Sequence, residues 1–392
     1  MRVRTGLDVW EEEQFRALRG LRVGAIVNPT SVDARFRHLA DLLDAAPGVT
    51  LAALFGPEHG VRGEVQYMEA VDEARDPRTG VPMYSLYGTT VDSLRPRREW
   101  LEGLDAVVFD IQDVGARYYT YVYTMALAME ACAKAGVRFV VLDRPNPLGG
   151  ERVEGNLVEP GFRSFVGMYP LPNRHGMTVG ELARMLNAEE RFGCDLAVVP
   201  CLGWSRRMRW AETGLDFIPP SPNMPTPDTA QVYPGMCLLE GTNLSEGRGT
   251  CRPFEQFGAP YLDAGVIASA LERYRLPGLA LRPVHFVPAW DKHRGTGCGG
   301  AFLHVTDPQA FASVRTGLAV VAEARKRGGR EFHWRAEAYE FVTDVPAFDL
   351  LCGSAQVRVA LEQGAEFEDV AALLAGAEAT FLERRAPHLL YR

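Results

Sequence analysis

Three stretches of this sequence share one design: a run of apolar residues too continuous to alternate between core and solvent, followed at once by charged or amide side chains. Leu51–Gly60 reads LAALFGPEHG, Leu104–Asp113 reads LDAVVFDIQD and Val137–Asn146 reads VRFVVLDRPN. Runs of this kind are strands buried on both faces, the condition found in parallel sheets with helices on either side. In such sheets ligands bind beyond the carboxyl ends of the strands. If the three strands are parallel neighbours, Glu58 and His59 from the first, Asp110, Asp113, Arg117, Tyr118 and Tyr119 from the second, and Asp143, Arg144 and Asn146 from the third converge on one rim. An active site is expected there.

The intervening sequence supports that sheet. Trp10–Arg19 has helical spacing closed by Gly20, and Leu21–Val27 is a further buried strand. Thr30 or Ser31 can cap a helix running through Leu43, and a helix is expected over Val91–Leu101. Thr120–Ala135 is apolar almost all round, which marks a buried helix, and Gly136 ends it. A helix over Thr178–Arg191 precedes a strand over Asp195–Pro200. Strand and helix in alternation with short links predict an α/β fold with a doubly wound, mainly parallel sheet. The weakly periodic segment Val61–Tyr87 is too long for an ordinary connection, and loops of that length are commonly functional.

After Pro147 the texture changes. Phe217–Pro227, FIPPSPNMPTP, is too rich in proline for helix or sheet and is expected to be a rigid surface path. Leu238–Phe257, LLEGTNLSEGRGTCRPFEQF, is glycine-rich and carries Glu240, Asn243, Glu246 and Arg248. From Asp263 onward the pattern predicts a smaller α+β domain: a helix to Tyr274, strands over Leu279–Val287 and Ala301–Val305, and helices over Pro308–Arg325, Ser354–Glu362 and Phe367–Leu382. Two domains follow, 1–262 and 263–392, as the length of 392 residues leads one to expect.

Composition bounds the partners. With 47% hydrophobic and 23% charged residues the chain is an ordinary globular protein, and a net charge of −8 without long runs of one sign argues against nucleic acid or an anionic membrane surface. No apolar stretch reaches the roughly 18 residues of a membrane span. The N-terminal stretch has no apolar signal core, so a cytoplasmic protein is expected, or an exported one in mature form. Seven cysteines without a CxxC pair fit reduced buried thiols better than disulfides or a zinc site.

Familiar nucleotide, serine-hydrolase and zinc-protease motifs are missing, and no metal or cofactor is expected. Residues 295–300, GTGCGG, match GxGxxG in letters but precede a strand instead of a helix, the wrong context for a dinucleotide. What stands out is an excess of carboxylates in loops and at strand ends: Glu58, Glu64, Asp110, Asp113, Asp143, Glu154, Glu240 and Glu246. A carboxylic acid paired with a carboxylate is what glycosidic cleavage needs, although a single loop carboxylate more often serves only solvation. Glu58 departs from that pattern, since it follows a proline, lies between glycines and comes straight off a buried strand. Burial there would raise its pKa toward that of a general acid at neutral pH. Asp113 and then Glu246 rank as its partners. Glu181 belongs to a capping box, T-V-G-E, and Tyr121 and Tyr123 to the core. Tyr118 and Tyr119 are candidates for stacking on a sugar, while Arg117 and Arg144 can equally pair with Asp113 and Asp143. Asn223, in SPNMP, has an amide suited to hydroxyl or acetamido recognition.

The stretches VGAIVNPTSV, LFGPEHGVRG, VFDIQDVGARYYTYVYTM, VVLDRPNPLGG, PLPNRHGMTVGELA, PPSPNMPT and LLEGTNLSEGRGT resemble, in order, the motifs of the exo-β-N-acetylmuramidase family (NamZ, also called YbbC), long catalogued as a domain of unknown function. The resemblance implies a Rossmann-like domain joined to a smaller C-terminal domain that closes the cleft. It also implies release of N-acetylmuramic acid from the non-reducing end of peptidoglycan fragments, and it places the family's proposed catalytic glutamate on Glu58. The lactyl carboxylate of that sugar calls for a guanidinium, and Arg62, Arg117, Arg144 and Arg248 all lie in the expected rim. Rival readings are a non-catalytic binder of cell-wall sugars or nucleotides on the same scaffold, and a metal-dependent hydrolase using Glu58 and His59.

Overall fold

The computed structural model describes residues 2–63, 74–88, 90–374 and 376–392, so Glu64 and much of the long segment after Val61 lie outside the described residues. The apolar runs form the expected sheet. Its strands are β1 (Arg22–Val27), β2 (Thr50–Gly56), β3 (Ala74–Arg75), β4 (Pro82–Ser85), β5 (Ala106–Asp110), β6 (Arg138–Leu142) and β7 (Leu196–Val199). They lie in the order β3-β4-β2-β1-β5-β6-β7, and every neighbouring pair is parallel except β3 with β4. Read without the short edge strand β3, this is the Rossmann order 3-2-1-4-5-6, which reverses direction between β1 and β5. Every residue of β5 is buried, as its unbroken apolar run requires.

The helix Tyr121–Ala135 is buried over Tyr121–Met129 and ends on Gly136 at φ 69°, a left-handed position that glycine fills without a side-chain clash. The helix Val179–Glu189 starts at the predicted capping box of Thr178 and Glu181. Elsewhere local signals were overridden. The first helix is Gly6–Glu12, capped by Thr5, and not Trp10–Arg19. Thr30 and Ser31 do not cap a helix: Ser31 donates to the carbonyl of Asp110, Thr30 accepts from Gln112 N at 3.0 Å, and the helix Leu39–Asp44 is capped by His38. Both hydroxyls are used to join the ends of β1 and β5. The expected helix over Phe367–Leu382 is two, Phe367–Leu373 and Ala377–Arg385, with Gly376 at φ 97° between them.

The smaller sheet is antiparallel, with β8 (Gln256–Ala259), β9 (Leu279–Phe286) and β10 (Cys298–Val305) in the order β8-β10-β9. Its first strand comes from residues ahead of Asp263. The glycines of GTGCGG serve this pairing, since a Cβ on Gly300 would lie 1.7 Å from Phe257 O. One buried apolar cluster runs from Phe55 and Phe109 of the parallel sheet through Tyr118 and Met236 to Phe257, Val320 and Phe348, so the two sheets share a core.

That shared core depends on a helix crossing without side chains. The helices Pro227–Met236 and Ser313–Gly328 meet at Gly235 and Gly317, where an added Cβ would lie 1.8 Å from Ser313 O and 2.1 Å from Gly235 O respectively. Backbone carbonyls cannot step aside as a flexible side chain can, so overpacking here forces the helices apart. Gly317→Ala is expected to cost about 1–3 kcal/mol in urea unfolding, whereas Gly161→Ala, where no atom lies within 4 Å of the added Cβ, should be close to neutral. Equal midpoints for the two variants would remove the crossing from this account.

Candidate active site

The turn that carries Glu58 follows directly from β2. Gly60 N donates to Pro57 O at 3.0 Å and His59 adopts φ 74°, the sign pattern of a type II turn whose third position usually holds glycine. Gly56 lets the chain fold back on itself, because a Cβ there would lie 3.1 Å from Val61 N. The turn is buttressed by Tyr121, whose hydroxyl donates to Pro220 O at 2.7 Å and lies 3.5 Å from Glu58 O. The proline-rich path of residues 217–227 is thereby tied to the glutamate. His59 Nε2 lies 3.9 Å from Glu58 Oε1.

The Glu58 side chain keeps 35% of its surface open. Protein nevertheless surrounds it closely enough that burial pushes its pKa up to about 7; Glu340 and Glu240 add to the push and Arg248 opposes it. Glu340 is raised to about 7 as well, by burial first and Glu240 second, against Tyr87, Arg335 and Arg248. Burial also raises Glu240, but Arg248, Tyr339 and Lys292 overcome it and the net shift is downward. Around Arg248, Glu240 is thus held as a carboxylate while Glu58 and Glu340 are poised between forms.

Glu340 reaches this place on an unusual turn. Tyr339 and Val342 exchange both backbone hydrogen bonds at 2.9 Å, leaving Glu340 (φ 45°) and Phe341 (φ 69°) as the two residues of a tight hairpin. Positive φ at both positions is the type I′ pattern that normally selects Asn-Gly, and left-handed backbone costs a non-glycine residue about 1–2 kcal/mol. The flanks hold the turn in place. Tyr339 OH donates to Glu240 Oε2 at 2.7 Å, Arg335 lies over the Tyr339 ring at 4.9 Å, and Phe341 packs near Phe165 and Tyr87. Tyr87 OH lies 3.4 Å from Glu340 Oε2. Bonds from Asn243 N to His333 O and from Arg335 N to Gly241 O, both 2.9 Å, lay the approach to the hairpin alongside the Glu240 loop.

The chain matches two family models described as exo-β-N-acetylmuramidase NamZ, N-terminal, over residues 23–228, and C-terminal, over residues 231–391. It belongs to the NamZ family. The peptidoglycan β-N-acetylmuramidase NamZ of Bacillus subtilis (strain 168) is 44% identical over 390 residues, covering 100% of this chain and 92% of that protein. Two solved structures of DUF1343 family proteins from Bacteroides fragilis NCTC 9343 share the fold. One has TM-score 0.91 at 38% identity and the other 0.80 at 30%, and each comparison covers 100% of this chain and 99% of the other. The expectation of a glycosidase holds, and the NamZ family supports a muramidase acting on peptidoglycan.

Within this NamZ fold many expected site residues turn out to hold the walls. Asp110 and Arg144 form a buried bidentate pair at 2.6 and 2.8 Å. Asp143 is fully buried, accepts from Thr178 Oγ1 and Gly180 N, and is pushed up to about 6 by that burial. Asn146 bridges Met177 O and Leu148 N. Arg117 is 1% exposed and donates to the carbonyls of Asn156, Leu171 and Leu351. Tyr118 is buried between Pro234 O, to which it donates, and Asn173, so it offers no face to a sugar. Tyr119 is buried edge-on to Tyr121 and Tyr233. Arg62 is bidentate to Asp76 at 2.6 and 2.9 Å and also bonds Asp41. Asp113 accepts from Gly115 N at 2.7 Å and lies 3.4 Å from the buried His175. Glu246 is clasped by Lys292 at 3.0 Å and Arg248 at 3.2 Å with its side chain 2% exposed. Asn223 is half-buried and makes no side-chain hydrogen bond among the described residues.

Of the four expected arginines only Arg248 bears on the Glu58 carboxyl, and it also bonds Glu240 at 2.7 Å. Glu340, Tyr339 and Tyr87 were not expected at all. Nothing in AYEFVTD announces a turn, because neither central residue is the glycine or asparagine that such a turn prefers.

The elevated Glu58 pKa has a consequence for stability. The ordinary glutamate value is 4.5 and the folded value about 7, so between them the folded chain holds a proton that the unfolded chain releases. Stability is therefore lost as pH rises from about 4.5 to about 7. Glu58→Gln removes this loss, and its melting temperature should gain on the wild type between pH 5 and pH 8. A difference that stays constant across that range would contradict the raised value.

Proposed function

We propose that this protein is an exo-acting β-N-acetylmuramidase that releases N-acetylmuramic acid from the non-reducing end of peptidoglycan fragments, with Glu58 as its general acid. The observation that carries the assignment of Glu58 is a carboxyl group that is reachable from solvent yet pushed to about 7 by its surroundings. A general acid has to be protonated at working pH and able to part with the proton as the glycosidic oxygen gains charge. The Bacillus subtilis relative's name supports the substrate. The residues beyond 262 supply Glu340, in keeping with a second unit that closes the cleft. Seven free cysteines, six of them buried, suit the reducing compartment in which recycled cell-wall fragments would be met. Among the described residues no helix is long and apolar enough to cross a membrane.

Glu58→Gln should keep the fold and lower turnover of an unactivated disaccharide by about 10²–10⁴-fold. An aryl muramide with a good leaving group, which needs less protonation, should lose less. Near wild-type turnover of the disaccharide by this variant would remove Glu58 from the acid's role. Activity that disappears on chelation would instead favour the metal-dependent reading.

Arg248 is the guanidinium we assign to the lactyl carboxylate, since it stays partly open and acts on the Glu58 carboxyl, whereas Arg117 and Arg144 are buried on other partners and Arg62 is held by Asp76 and Asp41. N-acetylglucosamine analogues, which lack the lactyl group, should be poor substrates because they forgo a charge-assisted contact with the guanidinium. Arg248→Lys keeps the charge but loses the fork, and should lower the preference in kcat/KM for the muramyl sugar by about tenfold. An unchanged ratio would assign lactyl recognition elsewhere.

A further inference from the structure

Glu340 raises the pKa of Glu58 but has no part of its own in the acid step, and its backbone is unusual. It occupies the first central position of a two-residue hairpin at φ 45°, followed by Phe341 at φ 69°. Strained backbone of this kind persists where surrounding contacts over-determine it, and it clusters at functional sites. The contacts here are specific: Tyr339 is locked to Glu240, Phe341 packs near Phe165 and Tyr87, and between these anchors the Glu340 carboxyl meets the Tyr87 hydroxyl. The side chain is half-buried, so solvent can reach it. Its partner Tyr87 follows Leu86, whose N–H donates at 2.7 Å to Gly56 O at the root of the Glu58 turn, and Glu340 is the charged group that acts most strongly on Glu58.

We propose that Glu340 is the second catalytic carboxyl, accepting a proton from the water that attacks the anomeric carbon while Glu58 donates one to the departing oxygen. This rests on the muramidase reading above. As the C1–O bond breaks, its electron pair goes to the glycosidic oxygen, which takes the Glu58 proton and leaves as an alcohol. The water oxygen bonds to C1 and its proton passes to the Glu340 carboxylate. Glycoside and water become two alcohol-bearing sugars, and the pair ends with its proton on the other member, to be exchanged through solvent.

The electrostatics supply the required starting state. Both carboxyl groups are raised to about 7, by burial first in each case, and the charge of Glu340 favours the protonated form of Glu58. The groups facing Glu58 are Glu340, Glu240, Arg248, His59, Tyr119 and Tyr121, and those facing Glu340 are Glu58, Glu240, Tyr87, Tyr339, Arg335 and Arg248.

The test is Glu340→Asn, because asparagine tolerates the left-handed position and removes the carboxylate. The variant should melt at or above the wild-type temperature, yet lose at least about 10²-fold in kcat/KM on the disaccharide and on an activated aryl muramide alike. This independence of leaving group separates it from Glu58→Gln. Azide should restore turnover of the aryl substrate by Glu340→Ala, and Glu340→Gln should move the alkaline limb of the pH profile to lower pH by removing the like charge beside Glu58. A folded Glu340→Asn within threefold of wild type overturns the assignment. So does a loss confined to the disaccharide, which would make Glu340 merely a residue that tunes Glu58. A wild type inert on every muramide would sink the parent reading and this role together, whereas an active wild type with an active Glu340→Asn sinks this role alone.

Discussion

Burial raises the carboxyl groups of Glu58 and Glu340 to about 7, and the charge of Glu340 adds to the shift at Glu58, so the site depends on acidic side chains held where protein displaces much of the water. Glu58 comes from the end of β2 and Glu340 from a hairpin far along the chain, so neither half of the sequence contains the pair. Their neighbourhood must be fixed against mutual repulsion. The shared core and the side-chain-free crossing at Gly235 and Gly317 join the two sheets, and the bond from Tyr339 to Glu240 anchors the Glu340 hairpin. Arg248 and the ionised Glu240 set the level of charge around the pair without cancelling it.

The arginines show how differently one residue type is used. Arg117 joins three backbone carbonyls from separate segments, and Arg144 closes a bidentate pair with Asp110 at the point where the sheet reverses direction. A loop-rich second half leaves many carbonyls without partners in regular structure, and a planar guanidinium with five donors can satisfy several at once. Such arginines are structural because they are buried, and burial is the one property that their positions near strand ends did not disclose. Arg248 differs in remaining partly open and in sharing its neighbours with Glu58.

Strain at the site is concentrated in two turns. His59 and the Glu340–Phe341 pair take left-handed backbone where glycine or asparagine would fit more easily. A sequence selected for stability alone would relieve them, and the cost is borne by packing elsewhere, as is usual where a side chain must project in one direction.

The sequence by itself determined the parallel sheet, the buried helix after Thr120, the capping box at Thr178 and the position of Glu58 just beyond a buried strand. These are written in apolar runs, glycines and cap residues that act within a few positions of themselves. It also carried, through its motifs, the resemblance to the muramidase family. The fates of Asp110, Asp113, Asp143 and Glu246 were not legible, because a carboxylate at a strand end or in a loop looks the same in sequence whether it faces a substrate or a protein partner such as Arg144, Gly115 N, Thr178 or Lys292. Glu340 was hidden for a related reason. Its turn lacks the residues that mark such turns and exists only because Tyr339 and Phe341 are gripped by groups brought from Glu240, Tyr87 and Phe165. Long-range contacts decide which of many polar side chains share a low-dielectric space, and only the tertiary structure contains them.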